Sequence, residues 1–170
     1  MTEFYFIRHG QTDYNILVNH DKVDHPPHVP LNETGRAQAI SIEPIIAQLP
    51  VKTICCSPYA RAQETKNLIA SRLNVEMIDI DDLGECNALI WNEMVARTQS
   101  HHVLSFEEKV KKGLDAALSK TGPVLIVAHG GVHWALCSIL NIVGHEWAVD
   151  NCVPIHFSIK DGIWKAKEIK

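Results

Sequence analysis

Apolar residues along this chain fall into short unbroken runs that alternate with longer stretches where they recur at helical spacing. Glu3 to Arg8, Val51 to Cys56, Val75 to Asp79 and Pro123 to Ala128 read as strands. Runs of this kind suit strands covered on both faces. Between them, helices are expected from Thr34 toward Leu49, Pro58 to Arg72, Ser105 to Ser119 and Gly131 to Ile142. Thr34 is the expected N-cap of the first, and Pro44 should kink or interrupt it, because proline lacks the backbone donor and crowds the preceding turn. In the third, Phe106, Val110, Leu114, Ala117 and Leu118 make a core face. Near the end, Ile155–Ile159 and Ile163–Ala166 flank Lys160-Asp161-Gly162, whose Asp-Gly pair suits a tight hairpin turn. Strands alternating with helices predict a three-layer α/β/α domain with a mainly parallel sheet and a C-terminal hairpin, spanning 1–170 as one unit.

Two segments resist the pattern. Asn19 to Pro30 is polar, with prolines at 26, 27 and 30, and reads as a surface loop. Residues 87–104 show no clear period.

Composition narrows the class. The chain has 170 residues, 46% of them hydrophobic, enough for one substantial core, and a formal charge of -4. That charge argues against a general nucleic-acid or membrane-surface binder, although local arginines can still make a positive pocket. The five cysteines, Cys55, Cys56, Cys86, Cys137 and Cys152, have no pairing or zinc-ribbon spacing. They are expected to be reduced structural thiols of a cytoplasmic protein. No apolar run reaches the length of a membrane span.

The chemistry gathers where the strands end. Ligands of open α/β sheets bind outside the carboxyl ends of the strands. The first run ends in Arg8-His9-Gly10, the second leads to Arg61, the third to Glu85, and the fourth enters His129-Gly130-Gly131. Guanidinium groups beside an imidazole suit an anionic group that must be held and attacked, with phosphate the first choice.

In this order the motifs resemble those of the histidine phosphatase superfamily, the phosphoglycerate mutase-like proteins. The resemblance rests on Arg8-His9-Gly10 with Thr12 and Asn15, then Leu31-Asn32-Glu33-Thr34-Gly35 with Gln38-Ala39. Ser57-Pro58 with Arg61, Gln63 and Thr65 follows, then Glu85, then His129-Gly130-Gly131. It covers nearly the whole chain and implies a phosphoglycerate mutase-like fold. It also implies that His9 is the nucleophile, transiently phosphorylated. Arg8, Arg61 and His129 would hold the phosphoryl oxygens, with Asn15 and the Gly130 N–H completing the cradle. Glu85 would be the general acid for the leaving oxygen and then the base for water. No cofactor or metal is implied, since arginines and histidines supply the charge. The expected partner is a small phosphorylated substrate.

Within that family, the residues favour a phosphatase. Cys86-Asn87-Ala88-Leu89-Ile90-Trp91 lacks the aromatic-glycine signature and paired arginines of the mutases, Gly131 stands where mutases carry asparagine, and the chain is short for their insertion. Val103-Leu104-Ser105 departs from the glycine-glutamate-serine that precedes the third long helix in phosphatases. A mutase, a protein phosphohistidine phosphatase and a non-catalytic phosphate sensor are the alternatives; retention of Glu85 favours an ester substrate. His20, His25 and His28 lack convincing metal-ligand spacing. His101 and His102 read as solvated, and His133 as a core or rim residue. Trp91, Trp134, Trp147 and Trp164 read as packing rather than recognition, with Trp91 the one candidate exception.

Overall fold

The computed structural model describes residues 2–170, and the strand-like runs become one six-stranded sheet. In chain order the elements are β1 (Phe4–Arg8), α1 (Glu33–Ile46), β2 (Thr53–Cys56), α2 (Ala60–Ile69), β3 (Glu76–Asp79), α3 (Ala88–Val95), α4 (His101–Leu118), β4 (Val124–Ala128), α5 (Gly130–Ile139), β5 (Ile155–Lys160) and β6 (Ile163–Glu168). The sheet order is β3-β2-β4-β1-β5-β6. The first four of these run parallel, while β5 pairs antiparallel with β1 and β6 antiparallel with β5. Asp161 and Gly162 close the last hairpin with φ of 53° and 76°, the left-handed pair that a tight two-residue turn requires.

Alternate strand residues feed two cores. Phe4, Phe6, Cys55, Val124 and Ile126 pack with α4 and α5 on one face, through Val103, Phe106, Val110, Leu114, Ala135 and Leu136. Ile7, Ile54, Cys56, Leu125 and Val127 pack on the other face with Ala39 and Ile46 of α1 and Ala62 and Ile69 of α2. Because β4 and β1 are central and covered on both sides, every residue of β4 is buried. The expected three layers are therefore present. No helix among the described residues is long and apolar enough to cross a membrane.

Local boundaries differ from the sequence reading in three places. The N-cap of α1 is Asn32, not Thr34: its side chain accepts from the Gly35 N–H, and Thr34 lies inside the first turn. Pro44 does not break α1, because it falls in the last turn, two residues before the end. α4 starts at His101, four residues before the expected Ser105, with Ser100 accepting from the Val103 N–H. Val103-Leu104-Ser105 is thus helix interior, and the position preceding this helix belongs to Thr98-Gln99-Ser100.

Candidate active site

The carboxyl ends of β1, β2 and β4 lie side by side, and their outgoing residues converge. The Arg8–His9 backbone is tied on several sides. The Ala128 carbonyl accepts from the His9 N–H, the Cys152 N–H donates to the Arg8 carbonyl, and the Asn151 side chain donates to the His9 carbonyl at 2.8 Å. The Gly10 N–H donates to Thr65 Oγ1, which donates in turn to the Arg61 carbonyl. Gly10 also lies against Gly35, where a Cβ on Gly10 would meet the Gly35 carbonyl oxygen at 2.5 Å. Gly35 is thus the abutment of the loop that follows β1, which explains glycine at both 10 and 35.

His9 is buried and its ring is fixed. Its Nδ1 lies 2.7 Å from the Gly10 carbonyl, an acceptor only, so Nδ1 carries the proton and Nε2 the lone pair. Arg61 Nε donates to that Nε2 at 3.2 Å. Burial first, then Arg8 and Arg61, hold the His9 imidazole well below the usual histidine range, so it is neutral at physiological pH.

Arg61 is buried and also donates through Nη1 to the Pro26 carbonyl and Nη2 to the His25 carbonyl. Arg8 Nη1 donates to the Val149 carbonyl at 2.7 Å. His129 is fully buried, its ring centroid 5.2 Å from that of His9, with Nε2 2.7 Å from Ser57 Oγ. Burial, then His9, Arg61 and Arg8, keep His129 neutral as well. Glu85 lies at the start of α5: one carboxylate oxygen accepts from the Gly131 N–H at 3.2 Å and the other from the Cys86 N–H at 3.0 Å. A Cβ at residue 131 would strike Glu85 Oε1 and come 2.7 Å from Cys86 Sγ, so glycine there is what lets the carboxylate rest on the helix.

Two buried side-chain polar atoms among the described residues lack a hydrogen-bond partner, Arg8 Nε and His129 Nδ1, and both belong to this cluster. Buried polar groups are nearly always paired, so two orphans in one place mark a site built for a ligand. A Cβ on Gly130 would lie 3.6 Å from Arg8 Nε, placing the guanidinium against the N-terminus of α5, where anions are favoured.

A cavity of about 400 Å³ opens over this cluster, lined by Arg8, His9, Asn15, Glu85 and Gly130. Arg61 and His129 neighbour His9 but do not line the cavity. Asn15 Oδ1 accepts from the Thr12 N–H and hydroxyl, which leaves its amide N–H groups as the donors on offer. One wall comes from the 19–30 loop and α3, through His20, Asp21, Val23, Asn87 and Trp91, and the two are joined: Asp24 accepts from the Ala88 N–H, and Asn92 donates to the Asp21 carbonyl. Glu146, Ala148, Val149 and Asp150, from the segment after α5, also line the cavity. Trp91 meets the cavity, while Trp134 stands between Trp91 and Trp147 at centroid distances of 5.7 and 5.6 Å and packs. His101 and His102 are exposed, and His133 is buried.

Residues 4–104 match the sequence profile of the histidine phosphatase superfamily (branch 1), more than half of the chain. The chain belongs to that superfamily. Among curated relatives, it is 28% identical over 173 residues to agropine synthesis reductase of Rhizobium rhizogenes, covering 91% of this chain but only 39% of that protein. It is 29% identical over 149 residues to the uncharacterized phosphatase PhoE of Bacillus subtilis, covering 80% of this chain and 76% of the other. The fold matches a phosphoserine phosphatase of Entamoeba histolytica, crystallised with 3-phosphoglyceric acid, at TM-score 0.77 and 20% identity, over 100% of this chain and 98% of that one. Of the motif residues read from the sequence, Arg8, His9, Arg61 and His129 follow the ends of β1, β2 and β4, while Glu85 comes from the segment after β3. Ser57 beneath His129, Asn151 and Cys152 on the Arg8–His9 backbone, and Val149 on Arg8 had no assigned role in the sequence reading. The last three lie in a stretch without motif; only Ser57 stood in a noticed string.

Proposed function

We propose that this chain is a phosphatase that hydrolyses phosphomonoesters of a small phosphorylated metabolite through a phosphohistidine on His9. The observation that carries this reading is the pair of unpartnered nitrogens, Arg8 Nε and His129 Nδ1, beside a neutral imidazole whose Nε2 lone pair is fixed in direction. Superfamily membership and the phosphatase-named relatives point the same way.

The steps follow from the donors present. His9 Nε2 attacks phosphorus as the ester P–O bond breaks, and Arg61 Nε turns from His9 to a phosphoryl oxygen. Arg8 Nε, Asn15 and the Gly130 N–H supply further donors to the equatorial oxygens, where charge accumulates in transfer. Tyr59 N–H already donates to Ser57 Oγ, so the Ser57 hydroxyl can donate to His129 Nε2 and leave Nδ1–H as a phosphate donor. Glu85 gives its proton to the leaving alkoxide. As carboxylate it then takes a proton from water, whose oxygen attacks phosphorus as the P–N bond breaks and neutral His9 returns.

The charge along the cavity bears on the mutase alternative. Asp21, Glu146, Asp150 and Glu168 line it, and their carboxylates would repel a second anionic group on the substrate. Retaining a phosphoglycerate while its phosphoryl group moves requires the opposite charge. Hydrolysis of an ester with a neutral or cationic carrier fits better.

Rapid acid-free quenching of the enzyme with ³²P-labelled phosphomonoester should trap label that is acid-labile and base-stable, and His9→Ala should fold normally yet trap none and turn nothing over. Label on serine or threonine, or turnover by the variant, would overturn the reading.

A further inference from the structure

The cavity over His9 carries more negative charge than phosphoryl chemistry calls for. Arg8 is the one lysine or arginine among its lining residues, whereas Asp21, Glu85, Glu146, Asp150 and Glu168 all bring carboxyl groups. Glu85 has its task at the leaving oxygen. The other four come from three separate parts of the chain: Asp21 from the 19–30 loop, Glu146 and Asp150 from the segment after α5, and Glu168 from the end of β6. None of the four is in an ion pair among the described residues, although Glu43, Glu64, Asp79 and Asp115 elsewhere each have one.

Exposed carboxylates are ordinary on a protein surface, but these share a cavity that is already built to receive a ligand. Arg8 Nε, buried and without a partner, belongs to a residue on the wall of that same cavity. It fixes where an anionic phosphoryl group goes, and the rest of the ester must then lie in the remaining space. That space is ringed with negative charge. Asp150 acts on Arg8 itself, while Glu146 and Glu168 come together on His145. Trp91 lines the cavity as well, and the face of an indole attracts cations. An anionic carrier would be repelled by these groups and a neutral one would gain nothing from them; only a cationic carrier uses them.

We propose that the ester taken by this site is the phosphomonoester of an amino alcohol, with its phosphoryl group at Arg8 and His9 and its ammonium among the carboxylates of Asp21, Glu146, Asp150 and Glu168. The inference rests on the phosphatase reading for its chemistry and narrows it to one class of carrier. The amine takes no part in bond making. The P–O bond to the carrier breaks, the oxygen of water ends on phosphorus, and the alcohol departs with its nitrogen still protonated.

Glu146, Asp150 and Glu168 are exposed, so each contact is modest. An exposed ion pair changes affinity by up to about fivefold, and a cation over an exposed aromatic face by about two- to fivefold. Two or three such contacts should favour the cation about tenfold or more over a neutral group of the same size.

The test is equilibrium binding to the full chain, with phosphonates whose P–C bond the enzyme does not hydrolyse. 2-Aminoethylphosphonate is compared with propylphosphonate, and 4-aminobutylphosphonate with pentylphosphonate, so that charge changes while length does not. At least one cationic member should bind about tenfold or more tightly than its neutral partner at low salt, and the preference should shrink as the ionic strength rises. The double change Glu146→Gln with Glu168→Gln, at two exposed positions, should leave Tm unchanged and cut the preference to about threefold or less. Glu108→Gln, an exposed carboxylate of α4 that does not line the cavity, should keep it in full. Equal affinities within both pairs, no binding of either cationic phosphonate, or a preference that survives the double change would overturn the inference. Because no bond is cleaved, these outcomes are separate from the trapping of label on His9, whose failure would sink the phosphatase reading instead.

Discussion

Gly131→Ala isolates the placement of Glu85, the proposed general acid. The added Cβ would strike Glu85 Oε1 and come 2.7 Å from Cys86 Sγ. The first of these is the free end of a flexible side chain, so the carboxylate moves and the backbone stays. Moving it breaks the 3.2 Å hydrogen bond from the Gly131 N–H, a charge-assisted contact of about 1.5–3 kcal/mol. Gly131 is the second residue of α5, where alanine gains at most about 1 kcal/mol over glycine, so a net loss of stability of about 1–2 kcal/mol is expected and the chain should still fold. Catalysis should change far more, because a displacement of about 1 Å costs roughly 10²-fold and positioned acid catalysis is worth roughly 10²–10⁴-fold. We expect the phosphorylation rate with an alkyl phosphate to fall at least ~10²-fold, and with p-nitrophenyl phosphate much less, since nitrophenolate leaves without a proton. Rapid-quench measurement of the first step gives both rates. Glu85→Gln should show the same difference between substrates, and the double variant should be no worse than Glu85→Gln alone, because both act through one carboxylate. Full alkyl phosphatase activity in Gly131→Ala, or losses that multiply in the double variant, would refute the argument.

Chelation should leave turnover of p-nitrophenyl phosphate intact, because the cradle is charged by Arg8 and Arg61; loss on EDTA with recovery on Mg²⁺ would contradict this. Phosphorylation should show no downturn near pH 6.5, since burial and the neighbouring arginines hold His9 and His129 well below that value; a rapid-quench pH profile with its acid limb at 6.5 would contradict it. Both histidines take up protons near 6.5 when unfolded and resist them when folded, so the unfolded chain binds more protons below 6.5 and Tm should fall as pH drops from 6.5 toward 5. Ser57→Ala removes the partner of His129 Nε2 and should lower kcat for phosphorylation about 10-fold or more with little change in KM; an unchanged kcat would separate Ser57 from the His129 tautomer.

The strands were legible because buried runs such as Val124–Ala128 have no polar competitor, and the cradle because strand ends punctuated by Arg8-His9-Gly10 and His129-Gly130-Gly131 carry both turn chemistry and charge. Helix starts were less legible for a local reason. Asn32 and Thr34 are both capping residues two positions apart, and only the Asn32-to-Gly35 hydrogen bond decides between them. α4 was read late because His101 and His102 are exposed and break the apolar period, although Val103, one step further, is buried. Short α3 hid because its apolar residues divide between the core, where Met94 is buried, and the cavity wall, where Trp91 sits. The tethers from Val149, Asn151 and Cys152 act largely through backbone groups, and a backbone contact leaves no side-chain signature. Cys152 even adopts a left-handed φ of 57° to make its bond, a conformation its sequence does not advertise.

Arg61 ties these features together through the number of its donors. Guanidinium offers five N–H groups in a fixed plane, and lysine only three on a rotating point. Three of the five are committed here, to His9 Nε2, the Pro26 carbonyl and the His25 carbonyl. Two remain, and in the proposed mechanism the Nε donor is released when His9 attacks. The same residue can therefore hold the 19–30 loop over the cavity while supplying donors to phosphate, with no need for the loop to let go. That division explains why Arg61 is buried while Asp21, Val23 and His25 of the loop it holds line the cavity. The fixed part is the hydrogen-bonded frame around Arg8 and His9, and the adaptable part is a wall hung from one guanidinium. Variation in the loop or in α3 can then change which carrier fits the cavity without disturbing the nucleophile, provided the Pro26 and His25 carbonyls stay within reach of Arg61.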